Sequence, residues 1–324
     1  MNIVISAATW YEDDQSRVDG FAERVRRAAE GHAVTLVPPS GDLFSALADA
    51  EVFFPFSGLT VTPEVVAAGP KLKWIHSPSA GVEHALFPSL VQRPIILTNS
   101  AGVYAVPISE HVIAMMLALS RGIPAIVLRQ SERDWRGWRG DELLDSSALI
   151  VGLGGIGRRV ARLCRAFEMR VLATRRRPEN PDPDADRVLP PNELASALPE
   201  ADWVIVCAPA TAGTRHIIGA PELALMKPSA RIVNIARGSL IDEPALVQAL
   251  RDGRLGGAAL DVFEEEPLPQ GSPLWDLPNV LVSPHTSGSS PRGLERVLEL
   301  FEDNLARFLA GQPLRNVVDK SEGY

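Results

Sequence analysis

A short apolar run that leads into a glycine-rich turn constrains the fold of this chain more than any other feature. Residues 147–151 read Ser-Ala-Leu-Ile-Val, and residues 152–157 read Gly-Leu-Gly-Gly-Ile-Gly. Apolar side chains then recur at helical spacing, at Ile156, Val160, Leu163 and Phe167. The segment therefore predicts a buried strand, a tight turn and a helix in succession, which is the start of a parallel α/β unit.

Each glycine has a physical role in such a turn. Gly152 permits the sharp reversal, Gly154 lets the backbone approach a ligand, and Gly157 lets the helix pack closely on the strand. Gly155 and Ile156 open the helix, where backbone amides and the helix dipole attract a pyrophosphate. The pattern predicts a dinucleotide site, with an ordinary glycine turn as the alternative.

The next predicted strand, 170–174, ends in an unusual residue for a dinucleotide site. An acidic residue about 20 positions after the glycines commonly accepts hydrogen bonds from the adenosine ribose. Here the position holds Arg175, followed by Arg176 and Arg177, in a chain of net charge −8. Guanidinium groups favour a 2′-phosphate, so we predict NADP(H) as the preferred cofactor and NAD(H) as possible. The alternative is a solvated run of surface charge.

Strand-like runs alternate with helical patterns along the whole chain, which is typical of parallel sheets. The predicted strands are 3–7, 33–37, 52–56, 73–77, 95–98, 147–151, 170–174, 203–207, 231–235, 257–262 and 280–283. Helices are predicted over 107–121 and, with Ser290 as N-cap and Pro291 at the first position, up to Gly311. The Pro-rich segment 178–191 is expected to be a surface loop.

Composition limits the classes of function. A length of 324 residues, with 46% apolar and 22% charged residues, favours two globular domains. The acidic net charge disfavours nucleic acids and anionic membranes as partners, so small molecules are expected instead. We expect no metal site. The lack of a signal-like N-terminus or a spanning apolar run, together with only two cysteines, Cys164 and Cys207, predicts a soluble cytoplasmic protein.

Three later strand candidates are each followed by a residue suited to carbonyl chemistry. In a parallel sheet Arg237, Glu266 and His285 would face one crevice at the strand ends. Arg237 can bind a carboxylate bidentately, His285 can supply a proton, and Glu266 can favour the charged imidazole. Each also has an ordinary explanation: Arg237 as a loop cap, Glu266 as a solvated surface acid and His285 as a structural histidine. Asp261 ends an apolar run and is expected at the nicotinamide carboxamide, with a helix cap as the alternative.

Together these segments resemble the D-isomer-specific 2-hydroxyacid dehydrogenase family, which includes glyoxylate/hydroxypyruvate reductases and phosphoglycerate dehydrogenases. The motifs that carry the resemblance are 79–84, 99–102, Glu110, 152–157, 226–228, 236–238 with Asp242 and Glu243, 261–263, 266–267 and 283–285. The resemblance implies that Arg237 binds the substrate, that Glu266 and His285 form an acid/base pair, and that Asp261 lies at the nicotinamide. It also implies that the backbone amides of Ala80, Gly81 and Val82 hold the substrate carboxylate.

The resemblance implies two Rossmann- or flavodoxin-like parallel-sheet domains with an active-site cleft between them. The dinucleotide-binding domain is expected at 101–289, and the substrate-binding domain is expected to be discontinuous, over 1–100 and 290–324. The cofactor site is expected to comprise Gly152, Gly154, Gly155, Ile156, Gly157, Arg175, Arg176, Ala208, Pro209, Ile235, Ala236, Asp261, His285 and Ser287. A homodimer through the dinucleotide-binding domain is implied, with Trp135 and Trp138 on the arm that reaches the partner, or else buried as core.

We therefore expect an NAD(P)-dependent oxidoreductase that moves a hydride reversibly between NADP(H) and C2 of a small 2-oxo or D-2-hydroxy acid such as glyoxylate or hydroxypyruvate. Two departures from the family are Arg175 and the segment 106–109, where an Ala-rich helix start is usual. The alternatives are a dinucleotide-sensing, co-repressor-like protein without turnover and a phosphite- or formate-type dehydrogenase. The related formate dehydrogenases have Gln in place of Glu266, so Glu266 favours 2-hydroxyacid chemistry over formate oxidation.

Overall fold

The chain forms two compact units in a computed structural model that describes residues 1–6, 15–29, 31–56, 61–179 and 181–321. The first unit comprises Met1–Tyr104 and Ser290–Tyr324, and the second comprises Ala105–Ser289. Each unit is built on a parallel sheet with helices between the strands. The predicted fold class, two parallel-sheet α/β domains, is therefore confirmed.

Within the described residues, the first unit contains a five-stranded sheet in the order β2-β1-β3-β4-β5. Its strands are β1 (Asn2–Ser6), β2 (Ala33–Val37), β3 (Val52–Phe54), β4 (Trp74–His76) and β5 (Ile96–Thr98). Its helices are α1 (Gln15–Ala28), α2 (Leu43–Leu47), α3 (Pro63–Ala68), α4 (Pro88–Val91) and, from the C-terminal segment, α11 (Pro291–Leu309).

Helix α11 returns the end of the chain to the first unit, and aromatic packing holds it there. Ser290 accepts a hydrogen bond from the amide of Gly293 and Pro291 follows it, as predicted for this helix start. The ring of Phe301 stacks on Phe54 at 4.3 Å and on Trp74 at 5.3 Å between centroids. These buried contacts make the first unit discontinuous in sequence.

The second unit contains, within the same described residues, a seven-stranded sheet in the order β12-β11-β10-β9-β6-β7-β8. Its strands are β6 (Ser147–Val151), β7 (Arg170–Thr174), β8 (Arg187–Leu189), β9 (Trp203–Val206), β10 (Arg231–Asn234), β11 (Gly257–Leu260) and β12 (Val280–Val282). Its helices are α5 (Ala105–Arg121), α6 (Ile123–Ser131), α7 (Gly155–Ala166), α8 (Leu194–Ala197), α9 (Ala220–Leu225) and α10 (Glu243–Arg251).

The order of the second sheet reverses beside its first strand, and this places the ligand site. The chain runs outward from β6 to β7 and β8, then crosses back to β9 and continues to β12. Both β6 and β9 are buried along their whole length, as expected where helices cover both faces. In open parallel sheets ligands bind at such a reversal, outside the carboxyl ends of the strands. Here those ends lead into Gly152 and Cys207.

Several predicted boundaries differ from the structure. Strand 203–207 ends at Val206 and strand 257–262 at Leu260, because the ladder of parallel partners stops there. Ala7, predicted to end the first strand, lies outside the described residues. Helix α5 begins at Ala105, two positions before the predicted start at Pro107, since proline is tolerated within the first turn.

The prediction that 178–191 is entirely a surface loop is wrong. This segment contains β8, which pairs with β7 at the edge of the sheet, and the buried Asp182. Strand β8 is only three residues long and contains no proline, but the prolines that flank it gave the whole segment the composition of a loop. Helix α6, which follows Gly122 in a left-handed conformation (φ 66°), was also not predicted.

The first unit buries a histidine in a polar cluster at the end of β4. Nδ1 of His76 lies 2.7 Å from the hydroxyl of Thr98, which also accepts from the Trp74 indole at 2.8 Å. Burial lowers the pKa of His76 to about 3, so the imidazole is neutral in the folded protein. In the second unit, burial raises the pKa of the Cys164 thiol to about 12 and keeps it protonated.

Within the described part of the chain, no single helix has the length and apolar composition needed to cross a membrane. Helices α5 and α6 meet those criteria only as a pair, and they are bent by 66° where they join.

Candidate functional site

The glycine-rich turn joins β6 to α7 in a conformation that only glycine fits at two positions. Gly152 has φ 103°, and a Cβ there would lie 2.7 Å from the backbone nitrogen of Ala208. A Cβ on Gly157 would lie 2.2 Å from the carbonyl oxygen of Gly152. Around Gly154 the space is open, with nothing within 4 Å of an added Cβ. Gly152 and Gly157 are therefore required by close backbone packing, whereas Gly154 borders empty space.

The open space at Gly154 fits the pyrophosphate of a dinucleotide. Gly154 is the N-cap of α7 and provides no side-chain cap, so the first amides of the helix point to this space. Ala208 and Pro209 follow β9, and Ile235 and Ala236 follow β10, so these predicted cofactor residues lie at the carboxyl ends of adjacent strands.

Arg175 directly follows β7 and is held in place by the segment after it. Its Nε donates to the carbonyl of Arg177 at 2.9 Å, and one guanidinium nitrogen lies 3.5 Å from Oδ2 of Asp182. The same carboxylate oxygen lies 3.0 Å from Nε of Arg158, on the first turns of α7. Arg176 is exposed beside this cluster. The carboxylate of Asp182, which the sequence analysis did not predict at this site, thus lies between the guanidinium groups of Arg158 and Arg175.

Asp261 follows β11, is completely buried and accepts hydrogen bonds from three donors. Oδ1 accepts from the hydroxyl of Ser283 and from the amide of Thr286 at 2.9 Å, and Oδ2 accepts from the amide of Ser287 at 3.0 Å. All three donors belong to the segment after β12. Asp261 is therefore not a helix cap, and its carboxylate fixes the backbone around His285.

His285 has an unusual backbone conformation and a side chain paired with Glu266. Its φ is 50°, a left-handed value that costs a non-glycine residue about 1–3 kcal/mol. Its amide donates to the carbonyl of Asp261 at 2.9 Å, which supports that conformation. Nδ1 lies 2.7 Å from Oε2 of Glu266, while Oε1 of the same carboxylate accepts the amide of Phe263 at 3.0 Å. The predicted imidazole–carboxylate pair is present and partly exposed.

Arg237 lies in the loop after β10, and this loop packs against the one that leads to Glu266. A Cβ on Gly238 would lie 1.8 Å from the carbonyl carbon of Phe263, so the two loops are in direct contact. Asn234 fixes the turn, because its side chain donates to the carbonyl of Arg237 at 3.0 Å and accepts the amide of Ala236 at 3.1 Å. The Arg237 guanidinium is half-buried and donates to the carbonyl of Ala236 at 2.7 Å.

The predicted substrate loop lies in the first unit, after β4. The carbonyl of Ala80 accepts from the side chain of Asn99 at 2.8 Å, and Tyr104 donates its hydroxyl to the carbonyl of Pro78 at 2.6 Å. Burial raises the pKa of Tyr104 to about 12, so this phenol stays a donor. These contacts fix the backbone on which Gly81 and Val82 lie.

The two tryptophans of the predicted arm are not core residues. Trp135 is fully exposed, and Trp138 is 47% exposed, with the Arg129 guanidinium 5.4 Å from its ring centroid. Beside them α6 exposes Ile123, Ile126, Val127 and Leu128. The second unit thus carries an exposed apolar surface, which we call the α6 surface.

Four residues that contact the predicted site residues or their neighbours were not singled out from the sequence: Asp182, Asn234, Ser283 and His111, whose Nε2 lies 3.1 Å from the Ser283 hydroxyl. Asn234 and Ser283 stand next to predicted motifs, and a polar residue at the end of an apolar strand could have drawn attention to both. Asp182 lies among other acids of a Pro-rich segment, and His111 lies on a helix far away in sequence. Nothing local distinguishes those two.

Comparison with known proteins identifies the group to which this arrangement belongs. The family model of the D-isomer specific 2-hydroxyacid dehydrogenase, NAD binding domain, matches residues 113–287 of the sequence. Glyoxylate/hydroxypyruvate reductase B of Pectobacterium atrosepticum is 35% identical over 280 residues, which cover 85% of this chain and 87% of that protein.

The chain belongs to the D-isomer specific 2-hydroxyacid dehydrogenase family. This is a family of NAD(P)-dependent oxidoreductases, so the predicted resemblance and enzyme class are confirmed at that level. The chain also matches D-3-phosphoglycerate dehydrogenases, such as that of Methanocaldococcus jannaschii at 35% identity over 282 residues. The match includes 86% of this chain but only about half, 53%, of the length of that relative.

Solved structures of the family share both units. A D-isomer specific 2-hydroxyacid dehydrogenase family protein from Aeromonas salmonicida has a TM-score of 0.85 and 31% identity, covering 98% of this chain and 99% of that one. An NADPH-dependent glyoxylate/hydroxypyruvate reductase from Sinorhizobium meliloti, in complex with NADP and sulfate, has a TM-score of 0.84 and 27% identity over the full length of both chains.

Alanine is expected to affect cofactor binding at Gly154 and folding stability at Gly152. Gly154→Ala places its Cβ in open space and should leave the unfolding midpoint almost unchanged, but weaken NADP⁺ binding by about tenfold or more because the methyl group would occupy the space that we assign to the pyrophosphate. Gly152→Ala, the matched control, should lower the unfolding midpoint itself through strain and the contact with Ala208. Thermal unfolding and calorimetric titration distinguish the two. Normal NADP⁺ binding by the Gly154 variant would contradict this assignment.

Proposed function

We propose that this dehydrogenase reduces a small 2-oxo acid, such as glyoxylate or hydroxypyruvate, to the D-2-hydroxy acid with NADPH, and catalyses the reverse reaction. The observation that carries the proposal is the His285–Glu266 pair, 2.7 Å apart, on the same sheet edge as the glycine-rich turn. An acid/base pair beside a dinucleotide site is what hydride transfer to a carbonyl requires.

Glu266 fixes the tautomer of His285. The carboxylate accepts the amide of Phe263 with one oxygen, so its second oxygen is directed to Nδ1 of the imidazole. An ionised carboxylate only accepts, which means that Nδ1 carries a hydrogen. Nε2 is then the atom that gives a proton to the substrate oxygen during reduction and takes it back during oxidation. The bound nicotinamide would supply a hydride to C2 of the 2-oxo acid, or receive one from C2 of the 2-hydroxy acid.

Arg237 is proposed to anchor the substrate carboxylate. Its backbone is fixed by Asn234, and its planar fork can bind a carboxylate through two parallel hydrogen bonds. Fixing the carboxylate orients C2, which lowers the entropic cost of reaching the transition state. We propose separately that the backbone amides of Ala80, Gly81 and Val82, in the first unit, bind the substrate.

The preference for NADP(H) is proposed from the residue after β7. Arg175 stands where an acid would accept the ribose hydroxyls, and Arg158 and the exposed Arg176 add positive charge around it. Asp182 neutralises part of that charge, which leaves NAD(H) as a usable cofactor. The Sinorhizobium meliloti reductase, named as NADPH-dependent, supports this preference from a relative.

Assembly and location are proposed on separate grounds. We propose a homodimer through the α6 surface, because four large apolar side chains of α6 and the nearby Trp135 and Trp138 in the chain are exposed, and exposed apolar side chains in such number are typical of an interface. A second copy of the chain presents the same patch and can cover it by two-fold symmetry. We propose a cytoplasmic location, consistent with Cys164 and Cys207, which are both free thiols.

Replacing the acid/base group tests the proposed reaction. His285→Gln should lower kcat for glyoxylate reduction by about 10²- to 10⁴-fold and leave the Kd for NADPH within about twofold, because the imidazole acts on the transition state. The matched control is His216→Gln, which removes another His–Glu pair of the second unit, to Glu264 at 2.6 Å, and should change kcat by less than about threefold. Turnover that survives in the His285 variant removes this residue from the mechanism. NADPH binding without turnover of any 2-oxo acid by the parent protein would favour a sensor.

Charge reversal after β7 tests cofactor choice. Arg175→Asp should lower the ratio of kcat/KM for NADPH to that for NADH by about tenfold or more, since a carboxylate repels a 2′-phosphate and can accept from a ribose hydroxyl. Arg177→Asp makes the same change in net charge two residues away and controls for the general field of the protein. An unchanged ratio in the Arg175 variant, or equal changes in both variants, would refute the specific role of Arg175.

A further inference from the structure

The loop that follows β4 in the first unit is bound along one side by the segment that follows β5. Four successive carbonyl groups, those of residues 77–80, each accept a hydrogen bond from a donor of segment 99–104. The pairs are the Ser100 hydroxyl with Ser77 at 3.0 Å, the Tyr104 hydroxyl with Pro78 at 2.6 Å, the Ser100 amide with Ser79 at 3.0 Å, and the Asn99 side chain with Ala80 at 2.8 Å. The loop therefore turns its carbonyls towards one neighbour, at the carboxyl edge of a parallel sheet.

The bound carbonyls determine where the following amides point. In a trans peptide unit the carbonyl and the N–H of the next residue point in opposite directions. Because the carbonyls of Ser79 and Ala80 face segment 99–104, the N–H groups of Ala80 and Gly81 face away from it. Neither amide has a hydrogen-bond acceptor among the residues that the structure describes, and both residues are partly exposed. Two adjacent backbone donors are thus available on the open side of the loop.

The supporting segment is itself held in place at Asn99. Its Oδ1 accepts the amide of Ala101 at 3.1 Å, which assigns its NH₂ group to the carbonyl of Ala80. The side chain of Asn316, from the C-terminal segment, donates to the carbonyl of Asn99 at 3.2 Å and to that of Ala101 at 2.9 Å. The donors that face the loop are therefore fixed from behind.

Tyr104 supplies the donor immediately before the two open amides. The single hydrogen of its phenol goes to the carbonyl of Pro78, and burial, which raises the pKa of Tyr104 to about 12, keeps that hydrogen in place at neutral pH. Phenylalanine at this position would keep the packing of the ring and remove only this bond. The peptide units that end in the Ala80 and Gly81 amides would then lose one of the contacts that set their direction.

Neighbouring N–H groups that point the same way form an anion site, and ligands of open parallel sheets bind outside the carboxyl ends of the strands. We propose that Tyr104 is a positioning residue, which together with Asn99 holds the loop after β4 so that the amides of Ala80 and Gly81 present two donors to a carboxylate. This inference rests on the proposed function for the identity of the anion, a 2-oxo acid. Tyr104 acts only through the backbone of the loop and does not touch the anion.

Oxamate, an unreactive analogue of a 2-oxo acid, tests the site without turnover. Protein labelled with ¹⁵N-alanine and ¹⁵N-glycine reports on both amides, and in the parent protein saturated with NADPH the Ala80 and Gly81 resonances should shift as oxamate is added. Tyr104→Phe should raise the Kd for oxamate by about three- to tenfold, the worth of one hydrogen bond, and leave the Kd for NADPH within about twofold.

Kinetics provide a second measurement. Tyr104→Phe should raise KM for glyoxylate by the same factor and leave kcat within about twofold, because the two amides hold the carboxylate equally in the ground state and the transition state. The matched control is Asn2→Ala, which removes another side-chain donor to a backbone carbonyl of the first unit, that of Asp49 at 3.2 Å, and should change neither constant.

The outcomes separate this inference from the proposed function. Unshifted Ala80 and Gly81 resonances in the parent protein, an unchanged Kd for oxamate in Tyr104→Phe, or an equal loss of NADPH affinity in that variant would each overturn the inference. Should Tyr104→Phe fail to fold, Asn99→Ala, which removes the donor to Ala80, is expected to weaken oxamate binding in the same way. A parent protein that shows the two shifts but reduces no 2-oxo acid would support the anion site and refute the proposed function.

Discussion

The arrangement of the candidate site depends on one buried charge, the carboxylate of Asp261. A fully buried carboxylate is costly unless hydrogen bonds compensate for the lost water, and here two amides and one hydroxyl do so. All three donors come from residues 283–287. The requirement to satisfy the charge therefore fixes the segment that carries His285, although Asp261 itself is 24 positions earlier in the chain than that histidine.

The strain at His285 is understandable in this context. A left-handed backbone at a non-glycine residue persists only where its surroundings over-determine it. Here Asp261 binds the segment twice, through its carboxylate and through its carbonyl, and Glu266 holds the imidazole from the other side. The free energy gained by satisfying the buried charge offsets the local strain, and the result is an imidazole held in a defined direction beside Glu266. Close backbone contacts, at Gly152 with Ala208 and at Gly238 with Phe263, keep the neighbouring loops equally fixed.

The sequence predicts much of this because local patterns determine it. Strand β6 and the turn after it follow from apolar periodicity and from glycines that the backbone requires, and the positions of Arg237, Glu266 and His285 follow from the rule that parallel strand ends share one edge. What the sequence did not predict depends on tertiary contacts. Strand β8 exists because β7 offers an edge, Asp182 is buried where Arg158 and Arg175 surround it, and His111 lies 3.1 Å from the Ser283 hydroxyl because α5 passes beside the end of β12.

The most direct measurement of the central claim is amide hydrogen exchange in Asp261→Asn. The substitution keeps the shape of the side chain but places an NH₂ group where an oxygen accepted, so the account predicts that peptides covering residues 283–289 exchange about tenfold faster or more, while peptides from β6 and β9 keep their protection. Exchange in 283–289 that matches the parent protein would contradict the claim that this carboxylate holds the His285 segment in place.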